Sequence, residues 1–534
     1  FEEVKHIEGF ERIKAAYQAY LTDESKLACQ PFDHLFFPDN EAQLAAVLRE
    51  MARRRILVTI GGARTGLVGG CVPPQGALVS LERLNKIESI HYSPWAEEWR
   101  ILAQAAVSLG DLNRMAMSKS FPDLEQSEDP AVQEDLARFK ADQATYFYPP
   151  DPTEMSASLG GTAATNASGA RTFRYGPTRA WIRGLRVMLA NGEVLSIPRG
   201  KYFASASGRL VVYDSQGRAY PVQVPDYALP RTKNTAGLFS APHMDLIDLF
   251  IGSEGALGVI TAVEAALLPW SPQCSIVQFT ASDDQALDLV VALRSDGRLR
   301  LDFLEFYSTR ALDLLRRRQT EDLKAVGMPL LPDRGAAVFF ELAFDPADRR
   351  PDFRALQEAV TKVGLSLEQS WAGYEPRELD RFKTFRHLLP ETINAVIAQR
   401  KKDHPSLHKL GTDLAVPDER LKDMWRVYET ELNRAGLDWV AFGHVGDNHL
   451  HINVLPRDPA QLEQSLDIYG RLASQAVDYG GTVSAEHGIG KIKAGFLKTM
   501  YTQDQLARMK AVKEALDPDG LLNPGNIFAP GEPL

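Results

Sequence analysis

Leu44, Val47, Leu48 and Met51 recur at the three- and four-residue spacing of one helix face. Asp39-Asn40 supplies cap residues ahead of them, so the spacing predicts a helix over 41–54. The β-rich run Ile56-Leu57-Val58-Thr59-Ile60 follows and breaks into a glycine-dense turn. Residues 122–145 are rich in Asp, Glu and Gln and read as a solvated insertion. A second polar insertion covers 199–243, with the short run Leu210-Val211-Val212-Tyr213 and a turn at Ser215-Gln216-Gly217. After Pro269 strands such as Ala337–Leu342 alternate with long helices to about 460. From 461 the chain is mostly helical and ends in a Pro/Gly-rich tail. These alternations predict an α/β or α+β protein of three parts: 1–270, 271–460 and 461–534.

Composition narrows the function. Sixty Lys and Arg against seventy Asp and Glu leave a net charge of −10, which argues against nucleic acid or an anionic membrane as a partner. No apolar run approaches the roughly 20 residues that span a bilayer. The three cysteines, Cys29, Cys71 and Cys274, are far apart, which excludes a disulfide framework and a cysteine-held iron–sulfur cluster. A reducing, cytoplasmic setting is expected, with peripheral membrane association left open. The chain starts at Phe1 rather than Met, which also leaves a removed leader open.

Three glycine loops carry candidate chemistry. Gly61–Gly70 has five glycines in ten residues directly after the first strand signal. Glycine there lets backbone N–H groups approach an anion closely. Ser158–Gly169 surrounds its glycines with small residues only, and Ile251–Ile260 is a third such piece. Neither a Walker A sequence nor Gly-x-Gly-x-x-Gly occurs. Three loops over about two hundred residues suggest one large phosphate-bearing ligand gripped from several sides.

Four of the eleven histidines fall in two short pieces. In the first, Gly446-Asp447-Asn448-His449 is a turn signal between strand-like residues. If Asp447-Asn448 is a two-residue turn, His444 faces His451 across a hairpin, Asn453 shares their face, and His449 points away. In the second piece, Thr482–Lys491, a short strand ends in Glu486-His487 before glycines. Two imidazoles and a carboxylate suit zinc, and also iron or manganese.

Taken in order, GGARTGLVGG, SLGGTAATNASGARTFRYG, IGSEGALGVIT and the two histidine pieces resemble the vanillyl-alcohol oxidase/p-cresol methylhydroxylase flavoproteins. Within them the match is to the branch of D-lactate, glycolate and D-2-hydroxyglutarate dehydrogenases. The resemblance covers about residues 30–530. It implies an FAD-binding domain over 1–270, a substrate (cap) domain over 271–460, and a C-terminal segment returning to the flavin domain. Gly62, Arg64, Thr65, Gly66, Gly69 and Gly70 match the stretch that wraps the FAD pyrophosphate. Pro150, Asp151, Ser158, Gly160, Gly161, Thr165, Asn166 and Gly169 match the second FAD-binding stretch, Val259 or Ile260 the third, and Asn526 the tail. Ala63-Arg64 stands where some relatives attach flavin through His, which implies non-covalent FAD.

By the same resemblance His444, His451 and Glu486 hold the divalent metal, zinc first, His487 takes the substrate's proton, and Asn453 touches substrate. One departure stands out. The family reads His-x-Gly-Asp-Gly-Asn-x-His, whereas this chain reads His-Val-Gly-Asp-Asn-His-Leu-His. Arg386 is the expected cation for the substrate carboxylate, since a guanidinium holds a carboxylate by two hydrogen bonds. Lys409 is a second candidate that needs a shifted alignment. The expected reaction is oxidation of a D-2-hydroxy acid, D-lactate first, with glycolate and D-2-hydroxyglutarate as alternatives. No heme, iron–sulfur or nicotinamide motif is present, so electrons leave to a separate acceptor: an electron-transferring flavoprotein, a cytochrome or a quinone. A metallohydrolase on the same His/His/Glu set, and a non-catalytic flavoprotein or assembly subunit, are the rival classes.

Overall fold

The structure is a computed structural model describing residues 3–317, 331–345, 347 and 352–529; the Pro/Gly-rich end from 530 and the first two residues lie outside the described residues. Asn40 caps the helix Glu41–Arg54 by accepting from the Gln43 N–H at 2.9 Å, and the face with Leu44, Val47, Leu48 and Met51 is buried. The strand after it is Val58–Gly61. It lies parallel to Ala77–Ser80, which lies parallel to His34–Phe37.

A second, antiparallel sheet runs Ile87–Ser93, Glu98–Gln104, Val259–Ala266, Ile182–Met188, Val194–Pro198. Val259–Ala266 is buried almost throughout because it is central, whereas Glu98–Gln104 alternates between buried and half-buried positions. A larger antiparallel sheet is ordered Ser370–Gly373, Gln273–Phe279, Ala337–Ala343, Leu301–Tyr307, Trp439–Gly443, His449–Val454, Leu410–Gly411.

Strands 301–307 and 337–343 of this large sheet are wholly buried yet carry Asp302, Glu305 and Glu341. Buried carboxylates need partners, and arginines of the glycine-loop half supply two of them. Arg171 reaches Glu341 at 2.7 Å, and Arg174 reaches Asp302 at 2.5 Å. Glu305 is left to the site described below.

The first polar stretch differs from the sequence expectation, whereas the second contains the expected short run and turn, as a hairpin. Residues 122–145 are not a solvated insertion: they form helices Pro122–Glu125 and Pro130–Ala141, whose Leu124, Leu136 and Phe139 are buried beside Trp99. Their apolar residues are sparse but share one side, and composition alone hides that. Residues 199–243 contain the hairpin Arg209–Tyr213/Ala219–Gln223, then an extended run whose Thr235 N–H donates to Ser484 O at 2.8 Å. The short strand expected before Glu486 is a single bridge, Ala415 with Thr482. Helices Pro459–Asp478 and Gln503–Leu516 follow, and the tail returns to Val58, which pairs with Leu522.

Candidate functional site

The first two glycine loops meet at Ser158. A Cβ on Gly62 or on Gly161 would lie 2.8 Å from Ser158 Oγ, so neither position has room for a side chain there. A Cβ on Gly169 would run into the carbonyl of Asp151, which brings Asp151 against the end of the second loop. Arg64 takes φ 59, stacks over Tyr20 at 4.1 Å, and keeps Nη1 buried without a hydrogen-bond partner. A buried guanidinium nitrogen with no protein acceptor, beside closely approached backbone, fits the phosphates of FAD. Lys491 Nζ donates to Gly69 O, Gly70 O and Asn526 Oδ1, and Asn526 donates to Gly70 O and Glu254 O. Burial lowers the Lys491 ammonium to about 8. Asn166 caps its helix at φ 47 and accepts from the Arg179 N–H. Val259 and Ile260 are buried in the central strand. The positions matched to FAD therefore include backbone-lining residues, buried packing residues and the tail.

The histidine hairpin differs from the two-residue turn. The strands pair Trp439 with Val454 and Phe442 with His451, not His444 with His451. His444 lies beyond the strand, before the turn Val445–Asp447, and Asn448 at φ 53 starts the return. His449 does not point away: it stands two residues before His451 on the strand His449–Val454, so the two rings share a face whatever the loop length. His444, His449, His451 and Glu486 bring one ligand atom each within 4.8 Å of one another. His449 is fully buried, and its Nδ1 and the His444 Nε2 both lie 3.3 Å from Glu486 Oε2. Three ring nitrogens of His444 and His449 are buried without a hydrogen-bond partner. Of these, His449 Nδ1 faces Glu486, while His444 Nδ1 faces Glu305 and His449 Nε2 faces Asp413; imidazoles set round one carboxylate in this way fit a divalent metal of the zinc, iron or manganese type. Burial first, with the neighbouring histidines, holds the His451 imidazole well below its ordinary value, so it is neutral and able to ligate.

Asp413, not singled out in the sequence, organises this cluster. It accepts from the N–H groups of Glu486 and His487 at 3.1 Å, from Ser484 Oγ at 2.8 Å and from Lys493 Nζ at 2.5 Å. His487 Nδ1 lies 3.5 Å from Asp413 Oδ2. Burial pushes His487 below its ordinary value against the pull of Asp413, so its ring is neutral at pH 7. Its plane stacks on His451 at 5.8 Å. Asn453, on the same strand as His451, is buried and donates to the His451 carbonyl at 3.4 Å.

The cations are distributed differently from the sequence reading. Arg386 lies in the helix Pro376–Arg400 and is not on a solvated face. Its Nε and Nη2 contact Glu305 at 3.1 and 2.9 Å, and Asp151 lies 3.9 Å from Nη1. Glu305 in turn lies 3.2 Å from His444 Nδ1. Burial would raise the Glu305 carboxyl, but Arg386 and His444 hold it down at about 2. Lys409 is exposed and makes no hydrogen bond or ion pair among the described residues. Lys233 is the cation that sequence reasoning missed. Its buried Nζ lies 2.9 Å from Glu486 Oε2 and 3.3 Å from Gly169 O. It comes from the polar stretch 199–243, where no motif marks it.

Comparison with known proteins places these features in a family. Residues 271–527 match the FAD linked oxidases, C-terminal domain, and residues 32–127 and 131–198 match the FAD binding domain. The stretch carrying Lys233 lies in neither match. A D-2-hydroxyglutarate dehydrogenase of Xanthomonas citri pv. viticola is 28% identical over 92% of this chain and 88% of its own. A D-lactate dehydrogenase of Anaerostipes hadrus is 27% identical over 91% and 87%. A glycolate oxidase subunit of Bacillus subtilis is 25% identical over 98% and 94%. Among solved structures, an alkyldihydroxyacetonephosphate synthase shares the fold at a TM-score of 0.59 and 13% identity, over 98% of this chain and 82% of that one. No helix among the described residues is long and apolar enough to cross a membrane.

Proposed function

The chain belongs to the FAD-linked oxidases, and we propose that it oxidises a D-2-hydroxy acid, D-lactate first, to the 2-oxo acid. The observation that carries the reading is Lys233, which spans from the glycine-loop carbonyl of Gly169 to Glu486 of the imidazole cluster. The donor cluster thus adjoins the stretch matched to FAD. Relatives named for D-lactate, glycolate and D-2-hydroxyglutarate support the substrate class.

His487 takes the hydroxyl proton on Nε2, because Nδ1 is turned to Asp413. Asp413 holds that ring in place and stabilises the imidazolium that results. Arg386 offers Nη1 to the substrate carboxylate while Nε and Nη2 stay on Glu305. His444, His451 and Glu486 would hold a divalent ion, which as a Lewis acid favours loss of the hydroxyl proton. FAD, when bound, would supply the acceptor for the hydride lost from the α-carbon, and a separate acceptor would take up its electrons.

Anaerobic mixing with D-lactate, L-lactate, glycolate and D-2-hydroxyglutarate tests the reading. Bleaching of the flavin band by D-lactate, and not by L-lactate, is expected. A yellow protein left oxidised by all four acids would overturn it.

A further inference from the structure

We propose that His449 is a fourth metal ligand, making this a three-histidine, one-carboxylate centre in which Asp413 is the outer partner of the added imidazole. The inference rests on the metal reading above and goes beyond it. In the family pattern an Asn stands at this place, so the family pattern supplies no such donor.

Three observations carry it. First, the loop geometry brings the ring inward. Asn448 takes the left-handed conformation after the Val445–Asp447 turn, the His449 N–H donates to His444 O at 3.1 Å, and the imidazole is fully buried. Second, His449 and His444 are wired alike. His449 has Asp413 Oδ1 at 3.0 Å from Nε2 and Glu486 Oε2 at 3.3 Å from Nδ1. His444 has Glu305 Oε1 at 3.2 Å from Nδ1 and the same Glu486 oxygen at 3.3 Å from Nε2. A carboxylate behind each ring fixes the tautomer and leaves the other nitrogen's lone pair for a metal. Third, His449 Nδ1, the nitrogen turned to Glu486, is buried without a hydrogen-bond partner in the protein. A histidine kept there only to hydrogen-bond Glu486 would have that nitrogen satisfied.

The added nitrogen changes what the centre prefers. Two imidazoles and a carboxylate leave a zinc ion one open position, whereas three imidazoles and a carboxylate complete its tetrahedron. Nitrogen-rich sets also favour zinc over manganese. A substrate hydroxyl would then have to enter as a fifth ligand.

The test uses the full-length flavoprotein stripped of metal and titrated with Zn²⁺ against a chelator. His449→Asn, the pattern's own residue, should weaken Zn²⁺ binding by more than the roughly 10- to 100-fold that loss of an outer partner costs. It should also shift the visible spectrum of the Co²⁺-loaded protein. FAD content, read from absorbance, reports whether the variant has folded. If it has not, pulsed EPR of Cu²⁺-loaded wild type decides, by showing three coordinated imidazoles rather than two. Unchanged affinity and Co²⁺ spectrum in a folded variant, or two imidazoles in the wild type, would overturn the inference. Zn²⁺ binding that survives Glu486→Gln and His451→Asn would instead bring down the metal reading itself.

Discussion

The ammonium of Lys233 lies 2.9 Å from Oε2 of Glu486, the oxygen that also faces His444 and His449 at 3.3 Å. A divalent ion and this ammonium therefore compete for one carboxylate. Removing a partner from a buried ion pair typically costs about 3–5 kcal/mol, because the remaining charge stays buried. Lys233→Met should lower the melting temperature of the metal-free protein clearly and that of the zinc-loaded protein less. The stabilisation gained on adding Zn²⁺ should grow, as linkage requires of a ligand that binds more tightly. Equal drops in both states would show that Lys233 and the metal do not share Glu486.

His487→Gln should slow flavin reduction by roughly 10²–10⁴-fold, the usual effect of losing a general base. FAD content and bound metal should stay at wild-type levels. Stopped-flow absorbance at the flavin band reads the rate, and near-normal reduction would take His487 out of the reaction.

Arg386 faces two carboxylates of the protein, the buried Glu305 and Asp151, and the proposed substrate carboxylate would be a third. Charge-assisted hydrogen bonds are worth about 1.5–3 kcal/mol, so losing the substrate contact should weaken its binding roughly ten- to a hundredfold. Arg386→Ala should also lower the melting temperature by stranding Glu305, and Glu305→Gln added to it should recover part of that loss. Arg386→Lys keeps the charge but cannot hold Glu305 with two nitrogens and present a third, so it should rescue binding partly. Lys409→Ala, at an exposed position, should leave substrate dependence nearly unchanged. The opposite ranking of Arg386 and Lys409 in a flavin-reduction titration would show that the wrong cation was chosen.

Acid should weaken the fold through Glu305. Its carboxyl is held at about 2 in the folded protein, against the ordinary 4.5. A depressed carboxyl adds stability above its unfolded value, and this is lost as pH falls from about 4.5 towards 2. Wild type should therefore lose its advantage over Glu305→Gln across that window. Melting curves of the two proteins at stepped pH give the difference, and a constant gap would mean that Glu305 is not depressed.

Denaturation should release all the flavin into the supernatant. By the resemblance, Ala63-Arg64 stands where some relatives attach flavin through His, and Cys71 is a half-buried small residue whose thiol is pushed up by desolvation. Yellow colour that stays with the precipitated chain would overturn non-covalent binding.

Some of this protein was legible along the chain because the determining contacts are short. The Asn40 cap and the apolar face of 41–54 obey a helical period that needs no tertiary partner. The glycine loops are legible because only small residues let two backbones meet, as Gly62 and Gly161 do at Ser158. His444, His451 and Glu486 stood out as a ligand set by residue type, and they lie in one cluster. His449 did not: the sequence reading points it away, although its two-residue offset from His451 puts both rings on one face of the strand. Asp413 and Lys233 were silent for a different reason. Each is a charged residue that no motif marks, and each acquires its place only when folding sets it against the second histidine piece: Asp413 against the N–H groups of Glu486 and His487, 73 and 74 positions away, and Lys233 against Glu486, 253 positions away. Burial then decides what they do, since a carboxylate or ammonium without water must find a partner.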